Sequence, residues 1–163
     1  MWLGSRAAHD RFDGCVRNGG EVSEEDLSVI MADMDRHPFL FSQPDDADTY
    51  SWLESLGCFS PIVHLQQVTG TASSHLPFTP RINMTGIVHA DRVLQSLMKS
   101  YLGTPPAELP AQTGEIYLTV EVFSGTSQTY REIESNLRET VEYWRRFIPE
   151  DGTRLDSLVG TLA

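Results

Sequence analysis

The chain has 163 residues, enough for one domain with a sizeable core, and 40% of them are hydrophobic. Twelve basic and 23 acidic side chains leave a net charge of −11, which argues against nucleic-acid phosphates or an anionic membrane surface as partners. No apolar run approaches the roughly 20 residues that span a bilayer, and the first residues lack the apolar core of a secretory signal.

Cys15 and Cys58 form neither a disulfide framework nor a zinc pattern and read as two free thiols in a reducing compartment. The Asn83-Met84-Thr85 sequon carries no weight without a secretory route, and the chain is expected in the cytoplasm.

Residues 1–22 show no clean periodicity. Ser23 followed by Glu24, Glu25 and Asp26 has the form of a helix start. The apolar stretch Leu27 to Met34 fits a helix or a buried strand, and Pro38 closes it. A loop over 39–46 leads to a short helix from Tyr50 to Leu56, stopped by Gly57. Ser60 to Gln66 reads as a strand, and Gln67 to Gly86 as a long polar loop of the kind that often binds ligands. Ala90 to Tyr101 is an amphipathic helix in which Val93, Leu94, Leu97 and Met98 keep the helical spacing.

A proline-rich connection, Thr104 to Thr113, precedes a second strand, Glu115 to Phe123. The longest helix runs from Ser127 to Ile148, with Ile133, Leu137, Val141, Trp144 and Ile148 as its apolar stripe. Residues 151–163 are expected to form a flexible tail, and residues 1–45 have no defined fold on this reading. Helices alternating with strands imply parallel βαβ units over 46–150.

His64 and Glu121 sit late in the two strands. Neighbouring parallel strands that end together bring such residues onto one face, where α/β proteins place their chemistry. A carboxylate between Val120 and Val122 needs a partner or a cation if it is buried. Gln66 and Gln67, at the end of the first strand, and His75 and Thr79, in the loop, have the polarity to bind substrate hydroxyls or a phosphate. Asp33, Asp35 and His37 form a further carboxylate–imidazole group. The plain alternatives are a buried imidazole at His64, a solvent-facing carboxylate at Glu121 and a solvated loop.

The segments HLQQ (64–67), SSHLPFT (73–79), Asn83 with Gly86-Ile87, and TVEVF (119–123) together resemble the C-terminal part of sugar-phosphate isomerases and epimerases of the xylose-isomerase-like TIM-barrel superfamily. The nearest likeness is to the erythrulose-phosphate epimerases, and it extends over about residues 46–148. The resemblance implies an α/β chain that supplies the last two or three strands of a (β/α)8 barrel. It implies a divalent cation, Mn²⁺, Co²⁺ or Mg²⁺, at the barrel mouth. His64 and Glu121 would be ligands, with Glu121 also moving the substrate proton. For the family's further aspartate ligand the resemblance offers Asp33, with Asp35 as the alternative, although neither has the histidine three residues later that the family has there. The family's remaining glutamate has no counterpart.

The implied activity is isomerisation or epimerisation of a small ketose phosphate through an enediolate, with Gln66, Gln67, His75 and Thr79 on the substrate. The partner reading is a sugar phosphate, with no nucleic acid and no membrane, and a homo-oligomer or a partner chain that completes the barrel. A second reading is a truncated or split barrel without catalysis of its own. A third, a metal-dependent phosphodiesterase on the same barrel, is opposed by the charge of −11.

Overall fold

The structure, a computed structural model, describes residues 4–17, 19–41, 44–70, 72–103 and 109–160. The expected connection from Thr104 lies outside the described residues as far as Glu108, as does the end of the chain beyond Gly160. The chain divides into two compact units, Met1–Asp48 and Thr49–Ala163.

The first unit holds two helices, α1 (Arg6–Arg17) and α2 (Glu24–Arg36). The Ser5 hydroxyl accepts the Ala8 N–H at 3.2 Å, a start signal that the weak periodicity of 1–22 concealed. The Ser23 side chain accepts the Asp26 N–H, and three acids follow in the first turn. These features make Leu27 to Met34 a helix rather than a strand. The two helices are tied by Arg11 Nε, which donates to Asp26 Oδ1 at 2.7 Å.

The second unit contains α3 (Thr49–Leu56), β1 (Ile62–Leu65), α4 (Pro80–Asn83), α5 (Ala90–Ser100), β2 (Tyr117–Val120), α6 (Tyr130–Arg145) and α7 (Leu155–Gly160). It is a mixed α/β unit built around a sheet of two parallel strands, with Ile62 opposite Tyr117 and His64 opposite Thr119. Both strands are shorter than the sequence reading, because the ladder closes at Tyr117 N–H to Pro61 C=O and at Glu121 N–H to Leu65 C=O.

One face of the sheet, carrying Val63, Leu65, Leu118 and Val120, packs on a core of Leu53, Phe78, Ala90, Val93, Leu97 and Trp144. The alternate residues Ile62, His64, Tyr117 and Thr119 are exposed, Ile62 at 58% and Tyr117 at 59%. Close approach of α5 to the turn at Gly57 requires glycine there, since a Cβ would lie 2.7 Å from Leu97 Cδ2.

Three sequence expectations change. Helix α6 turns Thr140 and Trp144 inward, while Leu137 and Val141 of the expected stripe are 45% and 50% exposed. The cause is Phe78, fully buried, whose ring lies 5.2 Å from that of Trp144 and whose N–H donates to Thr140 Oγ1 at 3.0 Å. Second, the segment after β1 is not simply a polar loop, since it contributes Phe78 to the core and forms α4. Third, α7 follows Asp151, with Leu158 buried.

Asp26 yields a pH dependence confined to the first unit. Its carboxyl is held at about 2, below the usual 3.8, first by the Ser23 hydroxyl and then by Arg11. A depressed carboxylate stabilises the fold above its unfolded value, and that stabilisation disappears as pH falls through the folded one. Between about pH 4 and about pH 2 the α1–α2 link should therefore weaken. Amide chemical shifts of both helices, followed through that window, should move in the wild-type chain and move much less in Asp26→Asn.

Candidate functional site

The parallel register decides where the chemistry lies. Thr119 stands opposite His64, and Glu121 is two residues further along the same face, just past the ladder. The His64 Nδ1 and Glu121 Oε2 atoms are consequently 3.2 Å apart. The expectation that two strand-end residues converge holds for this pair. The His64 side chain is 59% exposed and that of Glu121 33% exposed, so the pair opens to solvent.

The loop adds a third group. His75 Nε2 lies 3.8 Å from the same Glu121 Oε2, too far for a hydrogen bond but close enough for electrostatic contact. Its imidazole lies flat on the Phe123 ring, with centroids 3.9 Å apart and planes at 4°. Phe123 had no role in the sequence reading, and a lone aromatic after a strand gives no signal of such a contact.

The other candidates separate. Gln66 Nε2 donates to Ser73 Oγ at 3.2 Å, and its Oε1 is buried without a hydrogen-bond partner among the described residues. Leaving such an acceptor unpaired costs about 1–3 kcal/mol, and a ligand donor or a water would relieve it.

Gln67 is fully buried, and its amide is saturated. Nε2 donates to Asn83 Oδ1 at 3.0 Å and to the Val88 carbonyl at 2.8 Å. Oε1 accepts the N–H groups of Val68 and Val88 at 3.0 and 2.9 Å. Nothing remains for a substrate; Gln67 holds the loop from inside. Thr79, also buried, is the N-cap of α4 and accepts the Ile82 N–H at 3.3 Å.

Two phenols fix the far end of this loop. Tyr50 Oη donates to the Ile87 carbonyl at 2.6 Å and accepts the His89 N–H at 2.9 Å, while the Ala90 N–H donates to Tyr143 Oη at 3.1 Å. Burial pushes both phenols above their ordinary pKa. They satisfy the start of α5, whose N-cap His89 makes no side-chain capping bond.

Asp33 belongs to the first unit, where it is buried, receives the Ser5 hydroxyl and lies 3.8 Å from Arg36. Asp35 and His37 are exposed on and after α2. Among the described residues, no group of three or more His, Cys, Asp or Glu side chains is arranged to hold a metal ion. The His64–Glu121 pair does have suitable spacing, because two adjacent donors about 2.0–2.2 Å from one ion sit roughly 3 Å apart. No helix among the described residues is long and apolar enough to cross a membrane.

No family model matches this sequence. The chain is 30% identical over 133 residues to the D-erythrulose 1-phosphate 3-epimerase of Brucella abortus (strain 2308). The match takes in 80% of this chain and 40% of that protein. The chain is therefore related in sequence to a sugar-phosphate epimerase and spans well under half of that relative's length.

The Gln67 clamp can be broken from outside. A Cβ at Gly86 would lie 2.2–2.5 Å from the Gln67 amide atoms, so Gly86→Ala must displace that amide. We expect a loss of about 2–4 kcal/mol in a denaturant titration, the range for stranding buried polar groups. Gly103→Ala, where a Cβ meets nothing within 4 Å, is the control.

Proposed function

We propose that this chain carries the proton-moving end of a sugar-phosphate epimerase site. The substrate is a small ketose phosphate of the tetrulose type, and the reaction passes through an enediolate. The observation that carries this reading is the 3.2 Å approach of His64 to Glu121 at the ends of adjacent parallel strands, in a chain related to an epimerase. The architecture it fits is the last strands of a (β/α)8 barrel, whose working residues stand at the C-terminal ends of the strands. The protein would act in the cytoplasm, on a small molecule rather than on nucleic acid or a membrane.

A hydrogen on carbon next to a carbonyl becomes removable when the resulting enediolate is stabilised. Glu121 is the base in this reading, because it is the carboxylate on the open face of the sheet. His64 and Glu121 would hold a divalent cation, Mn²⁺, Co²⁺ or Mg²⁺; when bound it polarises the substrate carbonyl and hydroxyl. A mixed nitrogen and oxygen donor pair favours Mn²⁺ or Co²⁺ over Mg²⁺. His75 borders the carboxylate and is placed to meet a substrate hydroxyl; the Gln66 carbonyl oxygen is buried, and a substrate would reach it only if the loop residue Ser73, which the Gln66 amide holds, moved aside. Gln67 and Thr79 hold the loop that carries His75. Asp33 serves the first unit.

A second reading has its own observation in favour. The functional face of the sheet carries exposed Ile62 and Tyr117, and a groove of about 1340 Å³ follows β2 and α6. A sheet bare on one face and open at its edges favours association. In that reading the chain acts only when a partner chain, or a second copy, completes the barrel.

Hydrogen exchange separates the two readings. Incubation of D-erythrulose 1-phosphate with the chain and Mn²⁺ in ²H₂O should replace the hydrogen at carbon 3, as read by proton NMR. This half-reaction needs one base only. Glu121→Gln should reduce the rate by at least about a hundredfold, as expected for loss of a general base. No exchange by the folded, metal-supplemented wild-type chain would refute independent catalysis and leave the partner-dependent reading.

A further inference from the structure

The hold on His75 exceeds what a surface loop needs. Its φ of +47° lies in the left-handed region, which costs a side-chain-bearing residue about 1 kcal/mol or more. Two contacts with a single residue maintain it. The Phe123 N–H donates to the His75 carbonyl at 3.0 Å, and the Phe123 ring lies parallel to the imidazole at 3.9 Å. Core packing does not account for that ring, since Phe123 is 63% exposed. The adjacent antiparallel bridge, with Gln67 and Leu76 exchanging backbone bonds at 2.9 and 3.0 Å, anchors the residue after His75.

The result of this hold is directional. His64 Nδ1 at 3.2 Å and His75 Nε2 at 3.8 Å both approach Oε2 of Glu121. No hydrogen bond or ion pair among the described residues reaches Oε1. His64 holds that oxygen at hydrogen-bond distance, His75 crowds it from electrostatic range, and the other oxygen is left open to a ligand.

We propose that Phe123 is a positioning residue for Glu121, acting through His75. Its ring sets the plane of the imidazole, and its N–H holds the backbone in the conformation that brings Nε2 to the carboxylate. What Glu121 does chemically rests on the function proposed above; the geometric role of Phe123 does not.

The test uses the full chain with the variants Phe123→Ala, Phe123→Tyr, His75→Ala and the double variant His75→Ala/Phe123→Ala. Co²⁺ affinity is followed by visible absorption, the imidazole resonances by NMR, and the fold by thermal melting. We expect Phe123→Ala to melt within a few degrees of wild type and to bind Co²⁺ about tenfold more weakly, at the lower end for residues that orient a ligand. Phe123→Tyr should restore the affinity, and the double variant should be no weaker than His75→Ala. The His75 ring protons should be shifted upfield by the stacked ring in wild type and lose that shift in Phe123→Ala.

Unchanged affinity and unchanged His75 shifts in Phe123→Ala would overturn the proposal. So would an equal loss from Phe123→Ala when His75 is already absent. Absence of Co²⁺ binding by wild type would refute the metal reading instead. The positioning role is then decided by whether Phe123→Ala perturbs the His64 resonances in wild type and leaves them unmoved in a Glu121→Gln background.

Discussion

A single register, His64 opposite Thr119, governs the second unit. Side chains along a strand alternate between faces, so a one-residue slip of β1 would turn His64 inward and Leu65 to water, and a slip of β2 would do the same to Glu121 and Val120. The observed pairing prevents this by burying Val63, Leu65, Leu118 and Val120 against α5 and α6. The polar pair is thus positioned by its apolar neighbours. The loop after β1 is organised in the same way: Phe78 fills the core, Gln67 locks the interior of the segment, and His75 is left at the surface beside the carboxylate.

Features that depend on local chemistry were legible in the sequence. Ser23 with its three following acids marked a helix start, Gly57 marked a helix end, and the spacing of Val93, Leu94 and Leu97 marked the face that α5 buries. The meeting of His64 with Glu121 was legible because parallel strands impose it. Features set by long-range partners were not legible. The inward face of α6 depends on Thr140 accepting a hydrogen bond from Phe78, 62 positions earlier. Gln67 and Gln66 look equivalent in the sequence, yet one is saturated by four internal bonds and the other has a bare oxygen. Their difference arises from strand alternation and from Gly86, whose missing side chain makes room for one amide alone.

The relation to an epimerase and the exposed sheet face bear on each other. The chain corresponds to 40% of that relative's length, and its two strands bury one face only. Tyr117 and Ile62 flank the polar pair on the open side, where an isolated sheet would gain from cover. His64 and Glu121 meet at 3.2 Å on that open side, and among the described residues no group of three or more His, Cys, Asp or Glu side chains is arranged to hold a metal ion.

Strand alternation also separates the ways in which this unit can vary. Within the four residues of β1, His64 and Leu65 are adjacent in the chain yet belong to different sets of neighbours, one at the solvent and one in the core. Drift at Ile62, Tyr117 or Thr119 removes no core volume and changes only the exposed face. Drift at Val63, Leu118 or Val120 acts on folding before it acts on chemistry. Such a unit can change the chemistry of its open face while its interior stays unchanged.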